Sequence, residues 1–218
     1  SNTLSSLERL PFTTTSDSSA VLSYLPLSHM IELIGAYLYT GAVATIYYVD
    51  DLTEIKEDMQ QIQPIFFATV PRLLEKIHTG LKSKGQELSG AKKHLYYWAL
   101  KMAEHFDPET PLRGLAKIKW SIADTLVYKK IREGLGGKIE GTISAGAALH
   151  PTIMRFFNGI GIKCAVGYGL TETSPILTAS LPDKIRIGSA GLPITGVSIR
   201  IAEDGEVQAK GPNIMQGY

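Results

Sequence analysis

The sequence contains little that could cross-link the chain or anchor it in a membrane. Cys164 is the only cysteine among 218 residues, so an internal disulfide and a C-x-x-C metal site are both excluded. No apolar run approaches the roughly 20 residues that a membrane-spanning helix needs. The first residues also lack the basic start and apolar stretch of a secretory signal peptide. These absences favour a reducing, cytoplasmic setting.

The chain also lacks an excess of charge of either sign. Lys and Arg number 22, Asp and Glu number 21, and the formal net charge is +1. This balance gives no support to a function in binding nucleic acids or anionic lipids. Hydrophobic residues make up 44% of the chain and charged residues 20%, which is typical of a globular protein. A chain of this length buries a sizeable core without a disulfide or a metal.

Helical and strand-like patterns alternate along most of the chain. Strands are predicted at residues 20–25, 42–49, 65–69, 138–144 and 162–166, the second and third of them buried. Helices are predicted at residues 29–39, 51–61, 70–81, 91–104, 115–135 and 151–158, with Ser28 as the N-cap of the first. Short strand-like pieces follow at residues 185–187, 197–201 and 206–209.

This order predicts an α/β fold with mostly parallel sheets flanked by helices. The α/β portion is expected to cover residues 1–180, and a β-rich portion to begin at residues 181–218. Three histidines, His78, His94 and His105, fall on predicted helix surfaces, where solvated or capping roles are expected.

The strongest local signal is the sequence GYGLTETSP at residues 167–175, which directly follows a predicted strand. Ligands bind at such strand ends in open parallel sheets, and the flanking glycines allow a tight turn around Tyr168. Tyr168 offers a flat face to a purine, and Thr171 offers a hydroxyl to a phosphate oxygen. Glu172 offers a carboxylate to a magnesium ion that also holds phosphates. A plain turn with a packing tyrosine explains the pattern equally well.

Two further segments have weaker signals. The tiny residues of SAGAALHP at residues 144–151 would leave a hollow for a planar base or a reacting carboxylate, although close helix–sheet packing also explains them. In LPLSHMIE at residues 25–32, His29 and Glu32 share one helix face. Two ligands alone do not make a metal site. The simpler interpretation places Glu32 at the positive end of the helix dipole.

Familiar motifs of other enzyme classes are absent. The glycine-rich GLGGK at residues 134–138 lacks the spacing of a Walker loop, because Arg132 stands where the first glycine is required. No G-x-S-x-G sequence occurs, which removes the usual signature of an α/β hydrolase. The glycine-rich run is better explained as a helix stop before a strand.

Together, the motifs resemble those of the adenylate-forming superfamily, which includes acyl-CoA synthetases, luciferases and peptide-synthetase adenylation domains. YGLTE at residues 168–172 resembles the Y-G-x-T-E motif, and residues 25–32 resemble the L-P-L-x-H-x-x-E form of long-chain fatty acyl-CoA synthetases. SAGAAL at residues 144–149 is similar to S-G-G-A-x-L, with Ala145 in place of the first glycine. Three more similar motifs lie at residues 69–77, 188–193 and 211–218.

The resemblance implies a two-step reaction. ATP and a fatty acid give an acyl-adenylate and pyrophosphate, and coenzyme A then takes the acyl group. It also implies a nucleotide-binding set, with Tyr168 stacked on adenine, made of Gly146, Ala147, Ala148, Tyr168, Gly169 and Leu170. Thr171 would contact the α-phosphate, Glu172 would bind magnesium, and His29 would lie near the acyl carboxylate.

The resemblance further implies that parts of the family pattern lie outside residues 1–218. These parts are the phosphate loop, the ribose-binding aspartate, the hinge and the small domain with its catalytic lysine. The chain is therefore expected to be a central piece of a long-chain-fatty-acid–CoA ligase, inactive alone. A ligase for another carboxylic acid and a non-catalytic nucleotide-binding module stay open. The expected partners are a fatty acid and the rest of the chain, without nucleic acid. Peripheral contact with a membrane stays open.

Overall fold

The computed structural model describes residues 19–218, and most of their strands belong to one seven-stranded sheet. Its first five strands pair in parallel: β1 (Ala20–Ser23), β2 (Thr45–Tyr48), β3 (Phe66–Thr69), β4 (Gly141–Ser144) and β5 (Lys163–Gly169). Two more strands pair antiparallel: β6 (Ile176–Ala179) and β7 (Leu192–Pro193). The spatial order is β2-β1-β3-β4-β5-β6-β7. A separate antiparallel hairpin contains β8 (Ser198–Ile201) and β9 (Val207–Lys210).

Helices connect the parallel strands, as the alternating pattern predicts. They are α1 (Met30–Gly41), α2 (Ile55–Ile62), α3 (Pro71–Lys84), α4 (Gly90–Glu104), α5 (Gly114–Ala123), α6 (Lys129–Gly134) and α7 (Pro151–Gly159). A π-helical turn at Asp124–Tyr128 joins α5 to α6, so the helix predicted at residues 115–135 is one helical segment with a local widening. The predicted α/β class, with a mostly parallel sheet and flanking helices, is confirmed. The domain boundary near residue 180 stays a prediction.

Some predicted strands differ from the structure. The strand predicted as buried at residues 42–49 is the shorter β2, and its side chains are largely exposed because it forms one edge of the described sheet. Strand β6 was not predicted, and residues 185–187 form no strand. Strand β5 runs through Gly169, so the two glycines around Tyr168 lie within a strand that has a register shift, rather than in a tight turn.

One face of the sheet supports the main hydrophobic core. Leu22, Phe67 and Cys164 alternate onto this face and pack beneath helices α2 to α7. His78 is part of this packed region, with 7% of its surface exposed, so its predicted position on a helix surface is wrong. Its Nε2 atom lies 2.9 Å from Glu104 Oε1, and its ring packs edge-on against Phe156. The reason is that α3 packs against α7, a contact between segments distant in sequence.

The opposite face is covered near its centre by α1. Tyr39 of α1 packs against Phe66 of β3 with ring centroids 5.9 Å apart. The Tyr39 hydroxyl also accepts a hydrogen bond of 3.0 Å from the backbone amide of Ala68. These contacts hold α1 across β1 and β3. No helix within residues 19–218 is both long enough and apolar enough to cross a membrane.

Candidate functional site

A cavity of about 310 Å³ lies between α1 and the sheet, where strands β4 and β5 end. Its innermost lining is apolar and includes Ile34, Leu38 and Phe66, all of them buried. Its outer lining is more polar and includes His29, Thr171 and Glu172. The cavity therefore joins a polar mouth to an apolar interior at the carboxyl ends of parallel strands, the usual position of a ligand site in such sheets.

The segment after β5 forms one wall of the cavity. Tyr168 is 38% exposed and lines the cavity, and so do Gly169, Leu170, Thr171 and Glu172. The structure therefore places this whole predicted segment, residues 168–172, on one surface. The alternative interpretation of the sequence was a plain turn with a packing tyrosine. It does not describe this arrangement, because the Tyr168 side chain is not packed in the core.

Glycine is required at position 169 for a steric reason. A Cβ atom there would lie 1.5 Å from the carbonyl oxygen of Pro175, a distance at which the two atoms would overlap. The chain after β5 folds back this closely because the Thr173 hydroxyl lies 2.8 Å from the same oxygen and accepts a hydrogen bond of 3.0 Å from the Leu170 amide. Gly169 thus allows the short 3₁₀ turn Thr171–Thr173 to form at the cavity.

Asn213 supports this turn from a distant part of the sequence. Its buried side-chain amide donates hydrogen bonds to the backbone carbonyls of Thr173 (2.6 Å) and Ile176 (3.2 Å). Neither Thr173 nor Asn213 was among the predicted site residues. The available signal was the motif at residues 211–218, which contains this asparagine but does not reveal what it contacts.

Glu172 presents an ionised carboxylate beside the cavity. Its Oε1 atom accepts a hydrogen bond of 2.6 Å from the Tyr218 hydroxyl, which holds the pKa of the Glu172 carboxyl below its usual value. The same contact raises the pKa of Tyr218. Within residues 19–218, no three His, Cys, Asp or Glu side chains cluster as metal ligands. Glu172 alone is a fitting oxygen ligand for magnesium, provided that phosphates and water supply the others.

Gly146 forms part of the opposite wall. Its φ of +84° lies in the left-handed region that favours glycine, and a Cβ atom there would lie 3.0 Å from Ile31 of α1. Gly146 and Tyr168 border the same cavity, as the resemblance implies. Ala147 and Ala148 are exposed and do not line it, so the structure does not bring these two predicted residues to the site.

His29 lies at the cavity mouth and caps α1. Its Nδ1 atom accepts a hydrogen bond of 3.2 Å from the Ile31 amide, so the predicted N-cap at Ser28 is wrong by one residue. The cap leaves Nε2 as the ring nitrogen available to a ligand. Glu32, one turn further on, is fully buried and does not line the cavity. His29 and Glu32 therefore do not form a pair of metal ligands.

The family model described as "AMP-binding enzyme" matches residues 1–218. The chain therefore belongs to the AMP-binding, adenylate-forming enzyme family, as its motifs predict. It is 33% identical over 191 residues to long chain acyl-CoA synthetase 1 of Arabidopsis thaliana, covering 85% of this chain and 28% of that protein. It is 29% identical over 201 residues to the long-chain-fatty-acid–CoA ligase FadD15 of Mycobacterium bovis, covering 91% and 33%. The chain spans about a third of the length of these relatives.

Solved structures with the same fold include two ligases. A long-chain-fatty-acid-CoA ligase from Archaeoglobus fulgidus superposes with a TM-score of 0.64 at 15% identity, covering 100% of this chain and 38% of that one. O-succinylbenzoate coenzyme A synthetase from Bacillus subtilis, in complex with ATP and magnesium, superposes with a TM-score of 0.60 at 17% identity, covering 99% and 37%. At these identities the likeness establishes the fold alone.

Proposed function

We propose that this chain carries the nucleotide- and acyl-binding part of an AMP-forming ligase that joins long-chain fatty acids to coenzyme A. In the first step, a carboxylate oxygen attacks the α-phosphorus of ATP, and pyrophosphate leaves. In the second step, the coenzyme A thiolate attacks the acyl carbonyl, and AMP leaves. The main support is a single cavity bordered by Tyr168, Thr171 and Glu172 on one side and by His29 and Gly146 on the other.

The proposed nucleotide contacts use groups at the cavity mouth. The partly exposed ring of Tyr168 offers a face to adenine, and the Thr171 hydroxyl offers a hydrogen bond to the α-phosphate. The lowered pKa of Glu172 keeps its carboxylate charged and suited to a magnesium ion. Bound magnesium would neutralise phosphate charge, which lowers the barrier to attack by an anionic carboxylate. The protein needs no nucleophile of its own, because positioning and charge neutralisation suffice.

The apolar interior favours a fatty acid over an amino acid. Ile34, Leu38 and Phe66 offer dispersion contacts to an alkyl chain. An amino acid would need a partner for its ammonium group, and among the described residues the only acidic side chain in the lining is Glu172 at the mouth. We therefore propose that His29 lies near the substrate carboxylate and that the alkyl chain extends along α1. The relatives named as long-chain synthetases point to the same substrate class.

Pyrophosphate exchange tests this proposal in the whole protein. We expect ATP–pyrophosphate exchange with palmitate and much slower exchange with benzoate or with amino acids. Faster exchange with either of those would keep the reaction class and overturn the long-chain assignment. Tight ATP binding without any exchange would instead support a non-catalytic nucleotide-binding module. The chain of residues 1–218 by itself is expected to show no exchange, because the phosphate loop of the family pattern is not in it.

Glu172→Gln tests the metal role directly. We expect kcat to fall on the order of 100-fold, because the carboxylate that holds magnesium is lost, while the unfolding midpoint stays unchanged. Glu203→Gln is the matched control, since it makes the same charge change at an exposed position in the hairpin. A Glu172→Gln variant that keeps wild-type kcat at limiting magnesium would remove Glu172 from the proposed metal site.

A further inference from the structure

Glu32 has no partner for its charge although it is completely buried. Its exposed fraction is 0%, and neither carboxylate oxygen makes a hydrogen bond of good geometry with a described residue, although the Ser23 hydroxyl and the Leu25 amide act on it. The hydroxyl of Ser23, at the end of β1, is buried nearby and also makes no hydrogen bond of good geometry there. Buried carboxylates are usually paired or hydrogen-bonded, because an isolated charge is costly to remove from water. This position therefore calls for a physical explanation.

Within residues 19–218, no cation acts on Glu32 to balance an ionised carboxylate. The groups that act on it are the Ser23 hydroxyl and the Leu25 backbone amide, at the junction between β1 and α1. Two titratable groups face it, Tyr24 from that junction and Tyr39 from its own helix. Burial raises the pKa of Tyr24 to about 12 and raises the pKa of Tyr39 further, so both phenols stay neutral. Burial also raises the pKa of Glu32, more than Ser23 and Leu25 lower it.

The place of Glu32 in α1 connects it to the cavity. It is the third residue of the helix, and His29 is the N-cap. Ile31 and Ile34 of the same helix line the cavity, whereas Glu32 lies outside the lining and faces the end of β1. Glu32 and His29 therefore lie in the same first turn of α1, one facing the end of β1 and the other the cavity mouth.

We propose that Glu32 is a positioning residue: its buried carboxyl group acts on the Ser23 hydroxyl and the Leu25 amide, fixes the junction of β1 and α1, and thereby holds His29 at the mouth of the cavity. Glu32 does not contact the substrate in this arrangement, because it lies outside the cavity lining. The consequence for catalysis rests on the proposed function. The raised pKa of Glu32 does not rest on it, because it follows from the burial of the carboxyl group.

The pH dependence of the unfolding free energy tests the raised pKa of Glu32 without an activity measurement. A carboxyl whose pKa is raised on folding binds its proton more tightly in the native state, so native stability falls as pH rises from the unfolded value toward the raised one. We expect the unfolding free energy of Glu32→Gln, which mimics the neutral acid, to rise relative to that of the wild-type whole protein as pH increases over this range. Glu57→Gln is the matched control, because Glu57 is also the third residue of its helix, α2, but is exposed.

Kinetics test the positioning role. We expect Glu32→Gln to retain kcat within about twofold of wild type, and Glu32→Ala to lower kcat at least tenfold with a smaller change in the KM for ATP. Glutamine keeps the size of the side chain but cannot be charged, so retained kcat in Glu32→Gln would show that Glu32 acts by position and not by negative charge. If Glu32→Gln has the same pH profile of stability as the wild type, or if Glu32→Ala retains kcat, the proposal is wrong. An absence of exchange in the wild type would refute the proposed function and leave the stability test of Glu32 in force.

Discussion

The two faces of the central sheet are built from the same strands, but one face is packed in the core and the other lines a cavity. On one face, Leu22, Phe67 and Cys164 are sealed beneath helices in a continuous core. On the other face, Phe66, Ala68 and Ile143 form part of the lining of a cavity under α1. Neighbouring residues of a strand point to opposite faces, so Phe66 and Phe67 fall on different sides. Stability should therefore depend mainly on the packed face, and ligand binding on the face that carries the cavity.

The largest difference in unfolding free energy is expected between alanine substitutions of two phenylalanines, one on each face. Phe157→Ala removes a ring that packs edge-on against Phe156 within the core, and should cost about 3 to 5 kcal/mol of unfolding free energy. Phe66→Ala should cost at least about 1 kcal/mol less, because it enlarges a cavity that already exists. Urea unfolding of both variants measures the difference. Equal losses would mean that the two faces are packed equally tightly.

A smaller effect is expected at Gly169, beside the cavity. Gly169→Ala forces a Cβ atom into the Pro175 carbonyl and should cost about 2 to 3 kcal/mol, because the turn that carries Glu172 must move. Gly80→Ala is the control in α3, where a Cβ atom meets nothing within 4 Å. That substitution should stabilise the protein by about 0.5 to 1 kcal/mol. If Gly169→Ala leaves the unfolding free energy unchanged or raises it, as expected for Gly80→Ala, the close approach of Pro175 is contradicted.

The smallest effect should come from His78 in the packed face. Burial lowers the pKa of His78, although the Glu104 carboxylate opposes this and Lys82 adds to it. A histidine with a lowered pKa binds its proton less tightly in the folded state, so stability should fall as pH drops below its usual value of about 6.5. His78→Gln should flatten this fall in urea unfolding between pH 7 and the lowered pKa, and His94→Gln, on an exposed position of α4, should not. The same pH dependence in His78→Gln and in the wild type would show that folding does not lower the pKa of His78.

Much of the site could be predicted because its motifs are continuous in sequence. Residues 168–172 follow one strand and reach the cavity together, and Gly146 follows its neighbour in the sheet. Ala147 and Ala148 were predicted with Gly146 but are exposed outside the cavity lining, because the chain path after a left-handed glycine is not visible in the sequence. Asn213 was missed, because its hydrogen bonds bridge about 40 residues of chain.

Local sequence patterns were enough to predict the alternation of helices and strands, the glycine and proline positions that end them, and the family motifs. These features depend on local geometry and on the periodicity of neighbouring side chains. Contacts between distant segments, visible in the folded molecule alone, place β2 at an edge of the described sheet, pair β6 with β5, and bury His78 and Glu32. Burial and strand pairing depend on which distant segments come into contact. The energy of a charge interaction or a hydrogen bond then depends on how far those contacts exclude water.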